Sequence, residues 1–584
     1  KLWEDEENKY WFNDENGKWG ILKEDIPIDC QVVDGKFIVE RYLIDDLWET
    51  EKVDNIFNQA TFLLSKVLPT SFMRSSTMGT AATWKLLMLG WSYKNGLAIP
   101  HTLPTKGFTG GLSRLLEVGY SQNVVKFDFA SLYPSIQLTH DVFTNSDVTG
   151  AMRGLLQYNY DYRNLYKELK SKHAKLGEKE KSEYYDKKQL PLKILNNGMF
   201  GSISAPNVFP WGDTNMGEKI TCTGRQYLRH MIRYFNDKGF KPLVGDTDGF
   251  NFSIPSDVDK FRYISTGEHR FNEKNKEYNG MDAVVAEYND VYMKGVMGLD
   301  VDEICEATIN IARKNYADLI DGKVKLVGNT IKSKKLPTYI AEFIDKGIHM
   351  LLKGEGYEFI NEYYDTIEKI YNLEVPLSKI ANKSRVRMTL NDYNKRATQV
   401  NKAGNPLPKQ AHMELIIKEN LNVDLGDTIY YVNTGTRKSH GDIQTKTDRK
   451  TGEKKLTINC QYISQDIIEN HPHTTGNYNI ERYIDAFNKR IKPLLVCFSP
   501  EVRDDILITS PLHRQYFTRK QLELTSGQPY NESDQDTIDN LLTVTDEENM
   551  FWQSINISST YMFEEYDILD EFCLDNKQSE GSIL

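Results

Sequence analysis

Residues Phe240–Ile254 read FKPLVGDTDGFNFSI. The apolar runs KPLV and FNFSI have strand character, and Gly245–Gly249 between them has turn chemistry, so the stretch predicts strand, turn, strand. Glycine and aspartate are ordinary turn residues, and a surface hairpin would account for them. Two aspartates, Asp246 and Asp248, nonetheless stand at the tip. Close carboxylates repel one another unless a cation lies between them. Hard oxygen ligands of that kind select Mg²⁺ or Mn²⁺. Two such ions about 3.5–4 Å apart can clamp an in-line phosphoryl displacement.

A matching carboxylate lies upstream, in KFDFASLYPS (Lys126–Ser135). Apolar residues lead to Asp128, which places it at a strand end, with Pro134 expected to stop the strand. The turn after it exposes backbone N–H groups near Ser131 and Leu132, donors suited to phosphate oxygens. A third stretch, KILNNGMFG (Lys193–Gly201), is helical. Lys193, Asn197 and Phe200-Gly201 fall on one face, offering a cation, an amide, a ring and a gap. Arg163 and Lys167 repeat the i, i+4 spacing one helix earlier. A solvated basic helix is the usual meaning of that spacing. The order and chemical fit of the three stretches favour a site for a nucleoside triphosphate.

The rest of the chain is compatible with this. Its 584 residues suit about three to five domains. Hydrophobic residues at 39% and charged residues at 27% permit a large core and argue against wholesale disorder. No apolar run approaches the roughly 18 residues of a membrane helix, and no signal peptide is visible. A cytoplasmic location is expected. The chain opens on Lys, which suggests part of a longer or processed protein. Six scattered cysteines without a CxxC pair argue against a disulfide framework or a zinc site. The net charge of −11 taken alone disfavours a polyanion-binding protein, but the charge is uneven. Lys and Arg crowd into 163–193, 313–335 and 383–409, and beyond Ser533 the tail is acidic.

Along the chain, WFNDENGKWGIL predicts a hairpin turning at Asn16-Gly17. Helical pattern runs from Glu40 to about Leu89. Two long polar helices, broken near KLGEKEK, fill 151–200. A helix over KITCTGRQYLRHMIRYFNDKG stops at Gly239. A long helical region spans about 341–375.

Taken together these stretches resemble the family B DNA polymerases of eukaryotic and phage type. DFASLYPS is similar to the family's motif A, KILNNGMFG to motif B and GDTDG to motif C. GFTGG (Gly107–Gly111), TCTGR (Thr221–Arg225), RKNY (Arg313–Tyr316) and KLVGNTIKSKKLP resemble further family elements, and YLIDD (Tyr42–Asp46) resembles the third exonuclease motif. The resemblance spans roughly residues 40 to 500, with a phage-like run of segments.

The resemblance implies a mixed α/β, multidomain α+β, right-hand polymerase: palm over 101–143 and 203–340, fingers over 144–202 and thumb over 341–530. Residues 1–100 would be an exonuclease remnant with connecting helices, and 531–584 an acidic tail. It implies DNA-directed DNA synthesis from a nucleic-acid primer, with primer–template DNA and dNTP as substrates and two Mg²⁺ ions, or Mn²⁺, as cofactors. Asp128 and Asp248 would hold the metals with the Phe129 carbonyl, and Asp246 would support them. Ser131 and Leu132 N–H groups, Arg163, Lys167, Lys193 and Asn197 would bind the triphosphate, and Tyr133 would exclude a 2′-OH. Arg313, Lys314 and Tyr316 would grip the duplex.

Some positions depart from the family pattern. Gly198 and Phe200 in motif B, and Val244 and Gly249 in motif C, replace Ser, Tyr, Tyr and Ser. Gly198 and Gly249 are expected to leave space near the base and the primer end, altering fidelity or primer handling. Asp5-x-Glu7 has no apolar strand around it, which leaves Asp46 as a lone exonuclease remnant and predicts no proofreading. An RNA-synthesising or reverse-transcribing palm enzyme and a non-catalytic scaffold are the competing readings. Tyr133 and the motif order oppose the first, and three retained carboxylates oppose the second. Only 65 residues separate Asp128 from Lys193, about enough for two helices, which disfavours protein-primed synthesis. TYMFEEYDILDEF in the tail resembles a sliding-clamp docking peptide, although an amphipathic or disordered end would read the same way.

Overall fold

The computed structural model describes residues 9–541 except 14–16, 23–25, 27–28, 66–67, 69, 256–270, 273–276, 279–280, 294, 329–335, 403, 405–406, 448–453, 526–527 and 530–540. A small three-stranded sheet comes first, formed by β1 (Tyr10–Phe12), β2 (Trp19–Ile21) and β3 (Gln31–Val33). β1 and β2 pair as the expected hairpin, and Asn16 of the expected turn lies outside the described residues. Asn13 and Lys18 close the loop, with Asn13 N–H donating to Lys18 O and Gly17 N–H to Asn13 O. Helices α1 (Gly35–Ser65), α2 (Phe72–Thr77) and α3 (Thr80–Lys94) follow.

The centre of the molecule is an eight-stranded antiparallel sheet built around β5 (Glu117–Phe129). Its other members are β4 (Ser113–Leu115), β6 (Lys241–Asp246), β7 (Gly249–Ser253), β8 (Leu299–Ala312), β9 (Asn315–Ile320) and β10 (Lys323–Val327). The order is β10-β9-β8-β5-β7-β6-β4, and Gln528–Pro529 pairs with the start of β5. Alternation along β5 decides its two faces. Val125, Phe127 and Phe129 are buried against α7 (Thr214–Asp237) and α8 (Met281–Tyr292). Phe127 stacks on Phe235 of α7 with centroids 4.2 Å apart. Each such buried side chain contributes about 1.5–3 kcal/mol. Lys126 and Asp128 are left on the opposite face.

The hairpin predicted from FKPLVGDTDGFNFSI is β6–β7, with Asp246 paired to Gly249 and Thr247-Asp248 as the turn. Thr247 has φ +69°, and Asp248 N–H donates back to Asp246 O at 2.8 Å. A non-glycine residue held there stores about 1–3 kcal/mol of strain, a feature that concentrates at functional sites. β5 ends at Phe129 rather than at Pro134. Ser131, at φ +55°, turns the chain into α4 (Leu132–Thr139), and Pro134 sits in that helix's first turn, where an N–H is dispensable. α7 stops before Gly239 (φ +86°), as expected, but begins earlier than its apolar pattern because Asp213 caps it.

The two polar helices are α5 (Ala151–Lys175) and α6 (Lys179–Ile203), broken at Gly177 with φ +73°. Their core, which includes Leu156, Leu195, Met199 and Ile203, is completed by Trp84 and Met88 of α3. The Trp84 indole donates to Leu195 O at 2.9 Å. α3 is therefore a structural member of this helical unit.

The C-terminal part packs α9 (Thr338–Leu352), α10 (Gly356–Tyr371) and α11 (Ile480–Ile491) beside a three-stranded sheet. The helical region expected over 341–375 is two helices, separated at Gly354 with φ +81°. Phe343 and Tyr363 pack on Phe487. Among the described residues no helix is long and apolar enough to cross a membrane.

Candidate active site

Asp128 stands one step from the end of β5, opposite Gly249 of β7 on one side and Asp300 of β8 on the other. Phe129 N–H donates to Asp248 O at 2.8 Å, which ties the β6–β7 turn to the end of β5. The two strands so joined bring Asp128 and Asp248 into one pocket. Burial first, then the charge of Asp248, pushes the Asp128 carboxyl up to about 7. Burial also raises Asp248, against the opposing field of Lys126. Asp246 points elsewhere: Lys314 Nζ meets its Oδ2 at 3.1 Å and the Thr247 hydroxyl donates to its Oδ1.

The two carboxylates open onto a cavity of about 400 Å³ lined also by Ser131, Leu132, Tyr133, Arg163, Lys193, Asn197 and Phe200. Leu132 is the first residue of α4, so its N–H has no partner within the helix. Arg163 Nη1 donates to the Ser131 hydroxyl. Burial lowers the pKa of both Arg163 and Lys167, so an incoming anion would meet poorly solvated cations. Lys167 lines a neighbouring recess of about 360 Å³ with Asp128, Ser131, Arg163, Asp300 and Asp302, so that recess and the first cavity meet at the Asp128 carboxylate.

Tyr133 lies on Phe200, with centroids 4.5 Å apart. A loop holds it from the other side. Thr221 Oγ1 and Arg225 Nη1 of α7 both donate to Thr109 O, at 2.8 and 2.9 Å, and Arg225 donates again to Gly110 O at 2.7 Å. That loop sets Gly111 so close that a Cβ there would lie 2.6 Å from the Tyr133 hydroxyl and 3.2 Å from Thr247 Cγ2. GFTGG and TCTGR, distant in sequence, are thus one structural device.

The donor set fits divalent metal. Asp128 Oδ1 is buried without a hydrogen-bond partner, beside a second carboxylate. Among the described residues no group of three or more His, Cys, Asp or Glu side chains is arranged around one point. A carboxylate pair still suffices for Mg²⁺, which typically takes one or two carboxylates and completes its shell with water and substrate phosphates.

Known proteins resemble this chain over much of its length. The family model described as DNA polymerase family B matches residues 140–473, more than half of the chain. The chain belongs to DNA polymerase family B. A DNA polymerase of Thermococcus sp. (strain 9oN-7) is 24% identical over 404 residues, covering 64% of this chain and 50% of that protein. DNA polymerase 2 of Aeropyrum pernix is 23% identical over 488 residues, covering 78% and 55%. The chain thus spans about half the length of the curated relatives it matches. The solved family B DNA polymerase of Pyrobaculum calidifontis shares the fold, with a TM-score of 0.52 at 17% identity over 79% of this chain and 56% of that one.

For this family B chain, several expectations need correction. Gly249 leaves no space near a primer end: a Cβ there would lie 2.4 Å from Asp128 Oδ1 and 2.7 Å from Phe127 O. Gly198 leaves none near a base, because a Cβ would lie 2.6 Å from Thr80 Cβ, where α3 crosses α6. Tyr42 and Asp46 lie on α1, exposed, with no carboxylate cluster around them among the described residues. Asp5, Glu7 and the TYMFEEYDILDEF segment lie outside the described residues. Arg313 and Lys314 form the β8–β9 turn and Tyr316 is the second residue of β9, on the same sheet as the carboxylates.

Sequence reasoning missed Lys126 and Asp302. Lys126 Nζ pairs with Asp302 Oδ2 at 2.7 Å. Burial would lower the Lys126 pKa, but Asp302 and then Asp128 outweigh burial and raise it. Lys126 was findable, since it precedes Asp128 by two on a strand and so shares its face. Asp302 required the register of β8.

Proposed function

We propose that this chain is a DNA-directed DNA polymerase that adds deoxynucleotides to a primer 3′-OH, acting in the cytoplasm. The observation that carries the reading is the Asp128–Asp248 pair facing Arg163, Lys193 and Asn197 across one cavity. Carboxylates on one wall and cations on the other suit a ligand with a reacting phosphate at one end and a charged polyphosphate along its length.

In this reading the central sheet is the palm, α5 and α6 are the fingers and the C-terminal part is the thumb. Arg163, Lys193 and the Ser131 and Leu132 N–H groups hold the triphosphate, with Asn197 beside them and Lys167 guarding the adjoining recess. Tyr133, supported by Phe200 and fixed by Gly111, is the floor under the sugar and leaves no room for a 2′-OH. Arg313, Lys314 and Tyr316 contact the duplex, and the Lys314–Asp246 pair links that contact to the carboxylate turn. Asp128, Asp248 and the Phe129 carbonyl would hold two Mg²⁺ ions, or Mn²⁺. Divalent ions bound there supply Lewis acidity and charge neutralisation for phosphoryl transfer. The protein's own part is positioning and electrostatic preorganisation. The acidic tail is the proposed docking peptide for a sliding clamp.

Primer extension tests the reading. Asp128→Ala or Asp248→Ala should lower dNTP incorporation by at least about a hundredfold, while primer–template affinity stays within about threefold because neither residue is a phosphate-binding cation. Normal extension by either variant would refute the assignment.

A further inference from the structure

On α5, Tyr158, Tyr162 and Tyr166 recur every four residues, so their side chains share one flank of the helix. Their rings form a row. Tyr158 and Tyr162 have centroids 4.3 Å apart, Tyr162 and Tyr166 6.1 Å apart. The row continues onto α6, where Tyr185 stacks on Tyr166 at 6.1 Å and 28°, and Tyr184 adjoins Tyr185 at 5.3 Å. Tyr158, Tyr162 and Tyr184 are 55%, 39% and 52% exposed, so the row adds little to the core of the hairpin. Lys188 Nζ lies 4.7 Å from the Tyr184 centroid and 5.5 Å from that of Tyr166.

This flank is separate from the one already described. Arg163 and Lys193, which line the carboxylate cavity, also line a recess between α5 and α6 with Lys170, Asp186 and Gln189, and none of these tyrosines borders it. Charge also distinguishes the hairpin from the rest of the molecule. Residues 151–203 carry eleven Lys and Arg against six Asp and Glu, in a chain of net charge −11.

We propose that this tyrosine row is a stacking platform for an unpaired DNA strand, the template ahead of the primer end. A row of exposed and half-exposed rings with Lys188 beside it offers what bases and phosphates together require. An apolar protein partner would not call for a net-basic surface. From Tyr158 to Tyr166 is about 12 Å of helix, and the step to Tyr185 lengthens the row to hold roughly three to five bases at ~3.4 Å each. The proposal goes beyond the polymerase reading and needs neither carboxylate nor nucleotide, so its failure and the failure of that reading are distinguishable.

The test uses the full chain and a fluorescein-labelled 20-mer of oligo(dT), with EDTA present and no dNTP, read by anisotropy. The double variant Tyr158→Ala/Tyr162→Ala should weaken binding by about tenfold or more, and Tyr158→Phe/Tyr162→Phe should stay within about twofold, because stacking needs the ring and not the hydroxyl. Lys188→Gln should flatten the dependence of affinity on salt. Binding by the double alanine variant within twofold of the parent would overturn the proposal, whether or not self-association or capture of another protein changes. A second measurement needs no substitution. A 5-bromodeoxyuridine 20-mer irradiated on the unaltered protein should crosslink within residues 151–203, and crosslinks confined to other segments would equally overturn it.

Discussion

Asp128→Asn should stabilise the metal-free protein at pH 8 while abolishing its activity. The Asp128 carboxyl is pushed from the ordinary value of 3.8 up to about 7, by burial and then by Asp248. The sign follows from which state binds the proton. Between about pH 4 and pH 7 the folded chain holds a proton on Asp128 that the unfolded chain has released, so stability falls as pH rises through that window. Above pH 7 the whole penalty is present, and below pH 4 none of it is. Full conversion at 1.36 kcal/mol per pH unit gives about 4 kcal/mol. The carboxylate is partly open to the cavity, and solvent screening reduces this to about 1–2 kcal/mol. Asn keeps the shape and removes the charge. For a cooperative unit of 150–250 residues the gain is about 2–8 °C in Tm. The assay is thermal unfolding in EDTA at pH 8 and pH 5. The variant should melt higher than the parent at pH 8, by less at pH 5, and millimolar Mg²⁺ should raise only the parent. An Asp128→Asn protein no more stable than the parent at pH 8, or equally stabilised at both pH values, would refute the reasoning.

Other outcomes follow from contacts already described. Gly198→Ser should destabilise by about 1–3 kcal/mol through overpacking against Thr80; denaturant unfolding should show partial rescue by Thr80→Gly, a coupling absent if the two helices do not touch. Trp84→Ala should cost about 3–5 kcal/mol, since the side chain is fully buried at the junction of α3 with α6, and a Tm within 1 °C or so of the parent would contradict that packing. Gly111→Ala should displace Tyr133 and lower kcat/KM for dNTP by about tenfold to a hundredfold, read by steady-state single-nucleotide incorporation; unchanged kinetics would separate the glycine loop from the site.

Much of the candidate site was legible in the linear sequence because its parts are local. A strand ending at Asp128, a hairpin carrying Asp246 and Asp248, and a helix presenting Lys193, Asn197 and Phe200 each follow from period and turn chemistry within about ten residues. The helix break at Gly177 and the stop at Gly239 were readable for the same reason. What failed involved contacts between distant segments. Gly198 and Gly249 looked like space because no periodicity reports that Thr80 or the Asp128 carboxylate fills it.

By itself, the sequence determined which residue types could serve chemistry and the local elements that carry them. Only the tertiary structure decided that Phe129 N–H meets Asp248 O, bringing two carboxylates some 120 residues apart into one pocket. It also decided that Arg225 and Thr221 hold the glycine loop under Tyr133, that Lys314 holds Asp246 aside, and that Lys126 pairs with Asp302. The physical reason is that hydrophobic period and turn preference act over a few residues, whereas the pKa of Asp128 and the room around Gly249 depend on what strand register and helix packing bring within a few ångströms.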